Sequence, residues 1–133
     1  MDIHFVTTSF DEDVSFTAYI NSHPVKMDSS GNLGSSPKRL MLASLAGCTG
    51  VDIVLILDKM KVAYSDFSID TEATLTETDP KIYNWVKLTY KIKLEEKDHA
   101  KMERAVSLSQ DKYCGVSAMF KAFATVETEI VYL

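Results

Sequence analysis

The residues best equipped for chemistry in this chain are its two cysteines, Cys48 and Cys114. Cys48 sits in Leu45-Ala46-Gly47-Cys48-Thr49-Gly50, inside the longest apolar stretch. Cys114 sits in Lys112-Tyr113-Cys114-Gly115-Val116-Ser117, after a basic and an aromatic residue and at a predicted helix start. A thiol becomes a nucleophile as its thiolate. Two thiols whose Cα atoms lie closer than roughly 7 Å can join as a disulfide, and a sulfenic acid formed on one is then captured by the other before it oxidises further. If the fold keeps them apart, they are two small apolar residues of a type that is ordinarily buried. Residue types alone leave both readings open.

The local settings of the two thiols differ. Cys114, at a helix start with Lys112 close in sequence, has surroundings that favour a thiolate. Cys48 lies about three turns inside a predicted apolar helix, where desolvation raises a thiol pKa. Asp52 follows Cys48 by one helical turn on the same face. It is either a proton acceptor or water-holding group for the thiol, or an interfacial acid paired with a lysine; a carboxylate there raises the thiol pKa further. Met27, Met41, Met119, Phe16 and Phe120 are candidates for an apolar pocket near the thiols or for core packing. Three scattered histidines, His4, His23 and His99, lack the ligand spacing of a zinc site. No nucleophile elbow and no glycine-rich phosphate loop is present, and no metal or cofactor is expected.

These residues must be positioned by a chain of 133 residues, a length that suits one domain, 1–133. An apolar content of 46% is that of a globular core rather than of disorder. The net charge of -5, without a basic block, argues against nucleic acid as a partner. The start Met1-Asp2-Ile3-His4 does not read as a signal peptide. The apolar run Leu40 to Leu57 contains Asp52, Ser44, Thr49 and two glycines, and reads as a buried helix rather than a membrane span. A cytoplasmic location with both thiols reduced at rest is therefore expected.

Hydrophobic periodicity supplies the elements. Residues 1–27 read as short strands, with Ile3, Phe5 and Phe16, Ala18, Ile20 alternating with polar neighbours and a turn at Asn21-Ser22. Residues 28–36 are a polar, glycine-containing loop. A helix opens at Ser36-Pro37, a cap followed by a residue suited to the first helical position, and runs to about Lys61. Its apolar residues wrap nearly all the way round, so it is expected to be buried on most faces. One small domain rarely covers such a helix, which implies a homodimer with the helix at or near the interface. Gly47 and Gly50 remove side chains beside Cys48 and allow a backbone or substrate to come close. Residues 64–77 and 81–94 alternate as an antiparallel strand pair. Residues 96–110 form an amphipathic helix broken by Asp111-Lys112-Tyr113. A short helix follows from about Cys114 to Lys121, and 124–133 is a last strand. The arrangement is α+β.

The string from Ser36 to Val54, SPKRLMLASLAGCTGVDIV, resembles the first cysteine motif of the OsmC/Ohr family of osmotically inducible and organic hydroperoxide resistance proteins. Lys112 to Met119, KYCGVSAM, resembles the second. The order of elements is similar over essentially the whole chain, and both motifs are closer to the OsmC-like branch than to Ohr. The resemblance implies antiparallel sheets around a long buried central helix, in an intertwined homodimer with two sites at the subunit interface. It also implies a peroxidase without metal or haem: Cys48 attacks an organic hydroperoxide, Cys114 resolves the sulfenic acid as a disulfide, and an external dithiol, a lipoyl group in the Ohr branch, reduces it. The family further uses an arginine from the N-terminal strands held by a glutamate near the start of the long helix. Here the only arginines are Arg39 and Arg104, and Lys38 or Arg39 stands where the acid belongs. Lys26 and His23 are the other cationic candidates. A protein of this fold that binds a small apolar molecule, with little peroxidase activity, is the alternative expectation.

Overall fold

The computed structural model describes all residues, Met1–Leu133. By its contacts the chain divides into two compact units, Met1–Met41 and Leu42–Leu133.

The first unit carries a three-stranded antiparallel sheet of β1 (Thr7–Glu12), β2 (Ser15–Ile20) and β3 (His23–Asp28), in that order. Asn21 and Ser22 connect β2 to β3 with φ of 49° and 67°. Two successive left-handed residues form the tight hairpin turn whose twist suits the strands it joins. Ile3 and Phe5, expected in a strand, lie before β1. The polar loop after β3 is tied down by Asp28. Its carboxylate accepts from the Ser30 amide (2.8 Å), the Ser30 hydroxyl (2.6 Å) and the Leu33 amide (3.0 Å). Gly34 is required there, because a Cβ would fall 2.6 Å from the Lys26 carbonyl oxygen.

In the second unit, β4 (Tyr64–Leu75), β5 (Tyr83–Leu94) and β6 (Thr125–Tyr132) form a sheet in that order. The long strands pair antiparallel as expected, from Tyr64 opposite Leu94 to Leu75 opposite Tyr83. β6 runs parallel to β5, one departure from an all-antiparallel arrangement. The chain between them passes through α2 (His99–Leu108) and α3 (Gly115–Lys121), and a helical crossover of this length returns a strand in the same direction. On β5, Val86, Leu88, Tyr90 and Ile92 point into the core, with period two.

The long helix α1 spans Pro37–Lys59. Leu45, Thr49, Ile53 and Leu57, four residues apart, are fully buried, and the three aliphatic side chains share one cluster with the β5 residues, Met102, Ala105 and Phe120. A single sheet covers a single helix face. The expected burial on most faces is therefore not met within one chain: Val51 and Leu55 stay 59% and 60% exposed. By length and apolarity alone α1 is a helix that could cross a membrane.

The expected 96–110 helix begins as a 3-10 turn, Glu96–Asp98, and continues as α2. Asp111-Lys112-Tyr113 does not break it. Ser109–Tyr113 instead widens into a π-helical turn, closed by the Cys114 amide donating to the Ser109 carbonyl at 2.8 Å. Such turns insert an extra residue and occur frequently at functional sites.

Candidate active site

The π turn delivers Cys114 to the start of α3 as its capping residue. The Cys114 Sγ accepts the Ser117 backbone N–H at 3.3 Å. Cys48 is half-buried on α1, and its thiol accepts the Val116 backbone N–H and has the Cys114 thiol as a hydrogen-bonding neighbour. The fold thus brings the two sequence-distant cysteines together. Both are free thiols.

Electrostatics hold Cys48 in its protonated form. Burial is the largest influence and pushes its pKa up; the Cys114 side chain and the Asp52 charge push it the same way, while the Val116 N–H pulls it back. None of these groups is a cation. Lys112, expected beside Cys114, lies with its Nζ 5.3 Å from the Tyr113 ring centre. Lys26, offered from the N-terminal strands, is paired with Asp11 at 3.1 Å.

Beneath the thiols runs a buried polar chain that residue types did not announce. Ser109 donates to the Asp52 carboxylate at 2.9 Å. The Thr49 hydroxyl lies 2.7 Å from that of Ser109 and 2.8 Å from that of Tyr90. Gln110 Nε2 donates to Tyr90 (3.0 Å) and Ser117 (3.1 Å), and reaches Thr49 at 3.4 Å. Thr49, Ser109 and Ser117 are fully buried polar side chains, and Tyr90 is fully buried among apolar ones. One signal was available: Thr49 falls on the buried stripe of α1, where a hydroxyl needs a partner. Asp52 takes its hydrogen bond from a serine, not from a lysine.

Two open grooves adjoin these elements. One of about 930 Å³ is lined by Asp52, Leu55, Lys59, Met60, Leu108 and Tyr113, among others. A second, of about 510 Å³, runs past Gly47, Gly50, Phe67 and Ile69. Gly50 serves packing, since a Cβ there would sit 3.3 Å from Ile69 Cδ1, whereas Gly47 faces open space. Of the apolar candidates, Phe120 is a core residue packed on Tyr83 and Phe123, Met119 is 66% exposed, and Met27, Met41 and Phe16 belong to the first unit. No three metal-ligating side chains gather anywhere in the structure.

Residues 29–129 match the family model described as OsmC-like protein. Protein YhfA of Escherichia coli (strain K12) is 29% identical over 102 residues, covering 76% of each chain. Among solved structures, a hypothetical protein from Aquifex aeolicus VF5 superposes with a TM-score of 0.89 at 28% identity, over 100% of this chain and 98% of that one. An OsmC-like protein from Mycoplasma pneumoniae superposes with a TM-score of 0.86 at 12% identity, over 99% and 98% of the two chains.

Proposed function

The chain belongs to the OsmC-like protein family, and from that premise we propose that it is a thiol-dependent peroxidase that reduces organic hydroperoxides through Cys48 and Cys114. The observation that carries this reading is the meeting of two free thiols at the first turn of α3, with the Val116 and Ser117 N–H groups directed at their sulfurs.

The chemistry closes on these two residues. The Cys48 thiolate attacks the distal oxygen of R–O–O–H; an S–O bond forms, the O–O bond breaks, and sulfur is oxidised as the peroxide is reduced. The proton given up by the thiol ends on the departing alkoxide, yielding ROH. The Cys114 thiol then attacks the sulfenic sulfur, forming the disulfide and releasing water. An external dithiol restores both thiols by exchange. Leu55, Ile56, Met60 and Leu108 give the groove beside Asp52 and Tyr113 an apolar portion, alongside the charged Asp52, Asp58 and Lys59, and that portion suits the organic part of such a peroxide. We further propose that the protein works in the cytoplasm as a homodimer, the open apolar residues of α1 meeting a second copy.

Turnover tests this reading. With dihydrolipoamide as reductant, the wild type is expected to consume cumene hydroperoxide, and Cys48→Ser to lose that activity entirely. Consumption unchanged in Cys48→Ser would sink it. A second reading, a binding protein of the same fold with little peroxidase activity, is favoured by the raised Cys48 pKa, with no cation among the groups that set it. It predicts no turnover but saturable uptake of an apolar probe in the groove.

A further inference from the structure

The buried hydroxyl chain has a direction, and the direction identifies a vacant acceptor. The Asp52 carboxylate can only accept, so Ser109 donates to it. The single hydroxyl hydrogen of Ser109 is then used, and its oxygen must accept from Thr49. Thr49, having donated, must accept from Tyr90. Tyr90, having donated, can only accept at its contact with Gln110, which fixes the NH2 group of Gln110 toward it. The carbonyl oxygen Oε1 of Gln110 is thereby turned away from the chain, where it is buried and has no partner. An orphaned buried acceptor is costly and calls for an explanation.

Its location supplies one. The Gln110 amide sits between the two cysteine-bearing segments. It reaches the hydroxyl of Thr49, the residue after Cys48, and that of Ser117, whose backbone N–H holds the Cys114 sulfur. The Gln110 backbone is pinned as well, its carbonyl accepting from Lys121 Nζ at 2.6 Å. The thiol pair carries no O–H group at rest and gains one when it is oxidised.

We infer that Gln110 is a positioning residue of the thiol reaction: its side-chain carbonyl accepts the O–H of the Cys48 sulfenic acid and holds the S–O bond directed away from Cys114, leaving the sulfur open to in-line attack by the resolving thiol, while Asp52 fixes the amide in the required orientation. This inference rests on the peroxidase reading. The covalent balance is unchanged, since the sulfenic hydroxyl still leaves as water when the disulfide forms. What Gln110 governs is the partition of the sulfenic acid between the disulfide and further oxidation to sulfinic acid.

The test is the product ratio, read by intact mass under non-reducing conditions after the reduced protein meets a small excess of cumene hydroperoxide. In the wild type the disulfide is expected to dominate. Gln110→Met, close in shape but without the amide, is expected to shift the ratio of disulfide to sulfinic acid about tenfold toward sulfinic acid, the scale of one lost hydrogen bond to a reacting group. Gln110→Glu places acceptors at both ends of the chain, leaves one hydroxyl junction without a hydrogen, and is also expected to favour sulfinic acid. Adding Asp52→Asn to Gln110→Glu reverses the chain from end to end. The amide introduced at position 52 then donates and the carboxylate introduced at position 110 accepts, and the disulfide is expected to be restored. A role in packing alone predicts no such rescue, and the rescue decides the matter even if Gln110→Met folds poorly. Equal ratios in wild type and Gln110→Met, or a double variant no better than Gln110→Glu, would overturn the inference while leaving the peroxidase reading intact. A wild type that forms no disulfide would overturn both.

Discussion

At the residue scale, the surroundings of Cys48 work against its acting as a nucleophile. Burial, the Cys114 side chain and the Asp52 charge all favour the protonated Cys48 thiol over its thiolate. A raised folded-state pKa contributes stability below the ordinary thiol value, and that contribution is lost as pH rises through the folded value. Reactivity runs the other way and grows toward alkaline pH. In a Cys114→Ser background, alkylation of Cys48 by iodoacetamide should titrate at higher pH than an unstructured cysteine. Asp52→Asn should move that titration back down, because a neutral amide no longer disfavours the thiolate. A titration that Asp52→Asn leaves in place would show that the carboxylate is screened from the sulfur. Both cysteines were legible from their rarity and motif contexts. Gln110 and Ser109 were not, because polar residues at the end of an amphipathic segment read as solvent-facing until a π turn rotates them inward.

At the element scale, most boundaries follow from local chemistry. Pro37 opens α1, and alternation delimits β4 and β5. What periodicity missed depends on tertiary contact. The wide turn at Ser109–Tyr113 and the parallel docking of β6 exist because the crossover must pack on the sheet. The partial exposure of α1 has the same origin, since one sheet reaches one stripe of the helix. Thr49 couples these elements, joining α1 to β5 through Tyr90 and to the π turn through Ser109. Thr49→Val keeps the shape but leaves Tyr90 without its acceptor and Ser109 without its donor. It should lower the unfolding free energy by about 1–3 kcal/mol, the cost of stranding a buried polar group, as measured by urea titration. Tyr90→Phe, which removes the stranded phenol as well, should recover part of that loss when added to Thr49→Val. Additive losses would mean that the two hydroxyls are not coupled.

At the scale of the whole molecule, the family and fold were legible because two cysteine motifs and the element order point the same way. The departure lies in the site, where the family arginine–glutamate pair has no counterpart at the positions that resemble it. Apolar residues left open along α1, Val51 and Leu55 among them, are what a second copy is proposed to cover. Leu55→Lys should therefore convert a dimer into a monomer in sedimentation equilibrium; a wild type already monomeric at micromolar concentration would remove the dimer from the proposal. The central claim remains that Cys48 and Cys114 act as one redox unit, and it is tested most directly by quenched-flow oxidation of the reduced protein with cumene hydroperoxide, followed by peptide mapping without reductant. The expected result is a single Cys48–Cys114 disulfide, formed faster than an ordinary thiol oxidises, accelerating with pH and absent in Cys48→Ser. Oxidation no faster than that of a free thiol, or product spread over unlinked cysteines, would contradict it.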